Sequence, residues 1–140
     1  MLEDLTALLD INSIDPATYQ YFTKLQKERT IIFNQEIDER IFEQVALPLL
    51  DFEKDDSNAP VTLIMATVGG SISDGFVLCN IIDNYTKPLN IIILGYAASM
   101  GTIMLAAGAH NPNVTRKCYP FSYALLHAGS AAFSGEALSV

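Results

Sequence analysis

The chain is short of bases, short of cysteine and, over its second half, short of charge altogether. Eight Lys and Arg stand against sixteen Asp and Glu in 140 residues, a formal net charge of -8. So few bases cannot build a surface that tracks phosphates, which excludes a nucleic-acid binder. Two cysteines, Cys79 and Cys118, are too few for a disulfide framework. With no secretory leader read ahead of them, they suit a reducing, cytoplasmic setting in which each thiol packs as a small apolar side chain. No ligand-spaced Cys or carboxylate accompanies His110 or His127, so no metal site is expected. Disorder is excluded from the other side, because half of the residues are apolar.

Charge is also unevenly placed. Residues 1–60 hold 13 acids and 5 bases, whereas residues 61–140 hold 3 of each. A free surface is normally about a quarter to a third charged. The second part is therefore expected to be covered by a membrane, by the rest of the fold or by sister subunits. No formal charge occurs between Lys87 and Arg116, and Leu89–Gly108 is long enough for a membrane span. Its content argues otherwise. Asn90, Tyr96, Ser99 and Thr102 interrupt it, and a β-branched run (Ile91, Ile92, Ile93) gives way to a small-residue run (Ala97, Ala98, Ser99). No basic cluster flanks it. A buried strand followed by a buried helix fits better, and no membrane partner is expected.

Alternating elements run along the chain. Met1–Leu9 reads as a short amphipathic opening, and Asp15-Pro16 as a turn or helix start. Thr30–Phe33 reads as a strand. Residues 37–52 read as a helix with Ile41, Phe42, Val45, Ala46, Leu49 and Leu50 on one face, which Pro48 kinks or shortens. Residues 61–65 form a second strand and 71–84 a helix with Ile72, Phe76, Cys79 and Ile82 inward. Residues 89–94 form a third strand and 98–107 a helix. A loop at 109–120 leads to a fourth strand at 122–126. Strand starts about thirty residues apart, each strand but the last followed by a helix, predict an α/β fold with a largely parallel sheet. The apolar strands predict that both faces of that sheet are covered.

Parallel sheets bind ligands at the carboxyl ends of their strands, beside helix N-termini. The sequence places Thr67, Val68, Gly69 and Gly70 there after the second strand, Gly95 to Ser99 after the third and His127 after the fourth. A serine needs a base to take its proton, and histidine is the usual one. The oxyanion formed on attack needs fixed N–H donors. The residue after the nucleophile, Met100, is one natural donor. The Gly69-Gly70 turn is a second, because a missing Cβ lets substrate approach the backbone.

As a set, Gly69-Gly70, the run Gly95-Tyr96-Ala97-Ala98-Ser99-Met100-Gly101, Leu105-Ala106-Ala107-Gly108 and Leu126-His127 resemble the Clp protease proteolytic subunit. Tyr19 to Phe33, with Lys27-Glu28-Arg29, resembles that family's first strand and its lead-in. The resemblance covers roughly residues 17–140, with 1–16 as a separate N-terminal segment. It implies a crotonase-like superhelix of strand–strand–helix units. It implies Ser99 as nucleophile, His127 as general base, Gly70 and Met100 as oxyanion donors through backbone N–H, and Val68 with Gly69 as a substrate-binding loop. It further implies seven-membered rings stacked in pairs, an AAA+ unfoldase partner that alone uses ATP, no cofactor in the subunit and unfolded polypeptide as substrate.

The chain departs from the family pattern in three places. Thr67-Val68 stands where the family has Ser-Pro, Ala128-Gly129 follows the histidine where the family has Gln-Pro, and the loop near Asn111–Arg116 is longer. The family's third triad member, an aspartate, lies well beyond the histidine. Here only 13 residues follow His127, with Glu136 the sole acid, and Glu136 falls at the start of a helix rather than in a triad. The favoured expectation is a truncated form of a longer serine peptidase subunit, incomplete at its C-terminal end. A chain lacking the acid would have an unoriented histidine and turnover reduced about ten-thousand-fold. Three rivals are a catalytically impaired ring scaffold or regulatory subunit, a signal-peptide-peptidase-A-like enzyme with a lysine base, and a crotonase-type acyl-CoA enzyme.

Overall fold

A computed structural model describes residues 15–132. The amphipathic opening at 1–9 and Glu136 lie outside the described residues. Helix α1 (Pro16–Lys27) begins at the expected Asp15-Pro16 signal, with proline in its first turn, where its missing N–H costs nothing. Strand β1 (Thr30–Phe33) follows. A π-helical segment (Phe42–Ala46) runs directly into α2 (Leu47–Lys54). Then come β2 (Val61–Thr67), α3 (Ile72–Asp83), β3 (Leu89–Ala98), α4 (Met100–Ala106), β4 (Val114–Cys118) and β5 (Tyr123–Leu125).

All strand pairs are parallel, in the order β1-β2-β3-β4, with β5 also paired to β3. Among the described residues no helix is long and apolar enough to cross a membrane. The stretch 89–108 is a strand and a helix, as its change of character predicts.

Pro48 does not end its helix. It cannot donate to residue 44, and its ring would press on that carbonyl. The turn ahead of it widens to the i→i+5 pattern, in which the Leu47 N–H reaches the Phe42 carbonyl. The helix then continues with Ile41, Val45, Ala46 and Leu49 buried, while Phe42 is exposed.

Two expectations about burial are corrected. Burial alternates strictly along β2, and Ile31, Phe33, Leu63, Met65, Leu89, Ile91 and Ile93 form one core with the helices. On the opposite face Ile32, Ile64 and Ile92 are only partly buried, and Leu94 is exposed. The cause is topological. Each crossover moves one strand further in the same direction, and right-handed crossovers then put the connecting helices on the same face. In α3 the inward residues are Gly75, Leu78 and Ile82, while Ile72 and Phe76 are exposed. Ser73, Asn80 and Asp83 share the exposed side of that helix with Phe76, so its apolar arc centres on Leu78 and Ile82.

The expected loop at 109–120 contains β4, which pairs with β3 from Val114 to Cys118. Its lead-in is docked by Asn111, whose side-chain amide donates to the Ile82 and Tyr85 carbonyls at 3.1 and 2.9 Å. The helix expected from residue 98 starts instead at Met100, because β3 runs on to Ala98.

At the amino end of the sheet, Lys87 is only 8 % exposed. Its ammonium donates to the Phe52 carbonyl and to Asp55 Oδ1, both at 2.8 Å. Arg29 pairs with the same carboxylate and lies over the Phe52 ring. Asp55 thus ties the loop after α2 to both β1 and the start of β3. The Lys87 hydrogen bond, aided by Arg29, holds its carboxyl well below the usual range, at about 2 against 3.8. A folded-state value below the unfolded one gives stability that is present above about pH 4 and lost as pH falls towards 2. We therefore expect Asp55→Asn to melt at a lower temperature than the parent at neutral pH. Its melting temperature should then fall less steeply between pH 4 and pH 2, as followed by circular dichroism; equal slopes would refute the assignment.

Candidate active site

Three strand ends converge at one edge of the sheet. The first is the end of β2. The Thr67 hydroxyl, 1 % exposed, donates to the Gln35 carbonyl at 2.7 Å and accepts from the Gly69 N–H at 3.1 Å. It locks the turn that leaves the strand. Gly69 then adopts a φ of 96°, and a Cβ there would lie 2.8 Å from the Ser99 Cβ and 3.0 Å from the Met100 nitrogen. Only a residue without a side chain fits so near the neighbouring turn.

Gly70 forms a parallel bridge with Ile37. The Ile37 N–H donates to the Gly69 carbonyl and the Ser71 N–H to the Ile37 carbonyl, both at 2.8 Å. A bridge of this kind uses the neighbours of residue 70 and turns its own polar groups to the other side, away from Ile37. Among the described residues no group accepts from the Gly70 N–H. Val68 is exposed beside it.

The second end is that of β3, and it is reached through an irregularity. Met65 pairs with Ile93 and Thr67 with Ala97, two steps on β2 against four on β3. The extra length at Leu94-Gly95 is pinned by Ser122, whose hydroxyl accepts from the Gly95 N–H at 3.0 Å and donates to the Ile93 carbonyl at 3.1 Å. Beyond it, Ser99 sits at φ 55° and ψ -123° between β3 and α4. Such a conformation in a non-glycine residue costs about 1–3 kcal/mol and persists only when its surroundings hold it. The Ser99 N–H donates to the Leu125 carbonyl at 2.8 Å, and its own carbonyl accepts from the Thr102 N–H at 3.0 Å. Met100 opens α4, so its N–H has no acceptor within the helix.

The third end is β5. Tyr123, Ala124 and Leu125 pair with Tyr96, Ala97 and Ala98, and the rings of Tyr96 and Tyr123 stack with centroids 6.3 Å apart. His127 is exposed and follows Leu125 by two residues. It is tethered within about 7 Å of chain from the residue that the Ser99 amide grips.

The sequence-predicted residues are thus drawn together in part by direct contact and in part by tether. Gly69, Ser99 and Met100 touch or nearly touch, Gly70 adjoins them, and His127 hangs from the strand bonded to Ser99. His110 is exposed in the loop after α4. Among the described residues no carboxylate is paired with His127, and no group of three or more His, Cys, Asp or Glu could hold a metal. Burial pushes the Cys79 thiol up in pKa and keeps it protonated, so it offers no competing nucleophile.

Sequence reasoning assigned no role to the residues that hold the site. Thr67, Thr102 and Ser122 act through hydroxyls bonded to backbone carbonyls, a role with no spacing signature. The available signal was a lone hydroxyl in an otherwise apolar run.

Comparison with known proteins places the chain among relatives. A family model described as Clp protease matches residues 13–140. Among curated proteins, the chain is 36 % identical over 89 residues to the ATP-dependent Clp protease proteolytic subunit of Cyanophora paradoxa. That match covers 64 % of this chain and 46 % of the relative, so the chain spans about half the relative's length. Among solved structures, it resembles the ClpP protease catalytic domain from Plasmodium falciparum, with a TM-score of 0.69 at 21 % identity, over 84 % of this chain and 64 % of that one. At such identity the likeness is one of fold.

A direct consequence concerns Gly69. Gly69→Ala must move either the β2 turn or the Ser99 turn, because both the positive φ and the 2.8 Å approach oppose a methyl group. The expected loss is about 1–3 kcal/mol in urea unfolding. An unchanged unfolding midpoint would show that the two turns are not in contact.

Proposed function

The chain belongs to the Clp protease family, and from that premise we propose that it is a serine endopeptidase subunit that cuts unfolded polypeptides. Ser99 Oγ attacks the scissile carbonyl carbon while His127 takes its proton. The oxyanion accepts hydrogen bonds from the N–H groups of Gly70 and Met100, the only charge stabilisation the reaction needs at that atom. Collapse of the intermediate breaks the C–N bond, and the proton held by His127 goes to the leaving amine. Water, deprotonated by the same histidine, then releases the acyl group from Ser99. The exposed Val68 and Gly69 flank the path of the substrate. Neither step calls on a cofactor.

One observation supports this reading above the rest. Ser99 occupies a strained turn that two other strand ends hold in place, with the N–H of Gly70 turned away from its own bridge. Strain of this kind collects at functional sites.

The family premise extends the proposal to the assembly: seven-membered rings, stacked in pairs in the cytoplasm and fed by an AAA+ unfoldase that alone consumes ATP. The apolar surface fits such burial. Phe121 is 98 % exposed, and Tyr119, Tyr123, Leu125 and Leu126 of the same short stretch are exposed as well. Exposed apolar residues concentrated in this way support an interaction surface.

A second reading is a ring-forming subunit without catalysis. It is favoured by the altered loops beside the site, with Thr67-Val68 ahead of the paired glycines and Ala128-Gly129 after His127, where the resembled family has Ser-Pro and Gln-Pro. A fluorophosphonate probe and a peptide substrate separate the two. The peptidase reading expects labelling that disappears in Ser99→Ala, together with hydrolysis that falls to background in both Ser99→Ala and His127→Ala. Rings that form without labelling or hydrolysis would leave the scaffold.

A further inference from the structure

The Leu125 carbonyl is the joint between the nucleophile turn and the strand that carries the histidine, and two donors meet there. The Ser99 N–H lies 2.8 Å from it. The Thr102 hydroxyl lies 2.8 Å from it and 2.8 Å from the Ala97 carbonyl. Thr102 also donates its own N–H to the Ser99 carbonyl. One residue therefore touches the strand before the serine and the strand before His127 with its side chain, and the serine's turn with its backbone.

The outer strand needs this hold. β5 is only three residues long. Leu126 and His127 beyond it are exposed, and no hydrogen bond ties either of them to another described residue. The orientation of the peptide between Leu125 and Leu126 sets where His127 can go. The hydroxyl's single proton is shared between the Leu125 and Ala97 carbonyls, so the Leu125 carbonyl accepts a full bond from an amide and a shared one from a hydroxyl. A single acceptor bond leaves that peptide free to swing about it, whereas two from different directions fix its plane.

We infer that Thr102 is a positioning residue for the Ser99–His127 pair, acting through the Leu125 carbonyl. The inference rests on the reading of Ser99 as nucleophile and His127 as base. Thr102 touches no reacting atom. It sets how the imidazole approaches the serine hydroxyl, and small displacements at such a contact are costly in rate.

Thr102→Val keeps the shape and removes the hydroxyl, and Thr102→Ser keeps the hydroxyl. We expect the valine variant to react with a fluorophosphonate about tenfold more slowly, as loss of one hydrogen bond implies, and the serine variant to recover most of the parent rate. Urea unfolding reports any general loss of stability. In proton NMR the ring resonances of His127 should move in Thr102→Val while those of His110, in a separate loop, stay in place. Should the valine variant fail to fold, Thr102→Ala makes the same comparison without added apolar volume.

Equal labelling rates for parent and hydroxyl-free variant would overturn the inference. If the parent does not label at all, the serine-peptidase reading falls, and the ring resonances then decide the role of Thr102. A shift confined to His127 would support the joint, and unmoved resonances would refute it.

Discussion

The ends of β2 and β3 come so close that residue 69 has no room for a side chain. A Cβ there would press on the Ala98 carbonyl and the Ser99 Cβ at once. The other features of the site follow from this approach. It fixes the Gly69-Gly70 turn against the start of α4, where Met100 lies. It helps to hold Ser99 in a conformation that a residue with a side chain avoids when free. Thr67 supports the approach from below, since its buried hydroxyl bonds the Gln35 carbonyl and the Gly69 amide together. A glycine and a threonine thus do for the backbone what the serine and histidine are proposed to do for the substrate.

The parallel winding explains why chemistry collects here. Every strand runs the same way, so every strand-to-helix turn falls on one edge. The chain steps from β1 to β4 without reversing, and α2, α3 and α4 share one core with the strands. The other face and the outer edge keep apolar residues in view, Leu94 and Phe121 among them. The charge-poor second half therefore has two destinations. Ile91, Ile93 and Met104 enter the core, while Tyr119 to Leu126 remain outside it as a surface with little charge of its own.

What was legible in the sequence divides along physical lines. β1 to β3, the Asp15-Pro16 helix start and the gathering of Gly69, Ser99 and His127 at one edge were readable, because runs of β-branched residues and paired glycines carry local signals. β4 was not readable. As an edge strand it buries only Val114, and Thr115, Arg116 and Lys117 look like loop residues because their side chains meet solvent. The inward face of α3 was misread because Ile72 and Phe76 have the hydrophobicity of core residues without the position. The hydroxyl joints at Thr67, Thr102 and Ser122 depend on which distant carbonyls come near, which is a property of the fold and not of the neighbourhood in sequence.

The Leu125 carbonyl also imposes an order in time. Ser99 and its elbow leave the ribosome well before residue 125 does. Until that carbonyl docks, the amide of Ser99 lacks the acceptor that holds its left-handed turn, and the turn relaxes to an ordinary one. His127 follows two residues beyond it. A chain in which β5 is undocked therefore lacks both the hold on the Ser99 turn and the tether of His127.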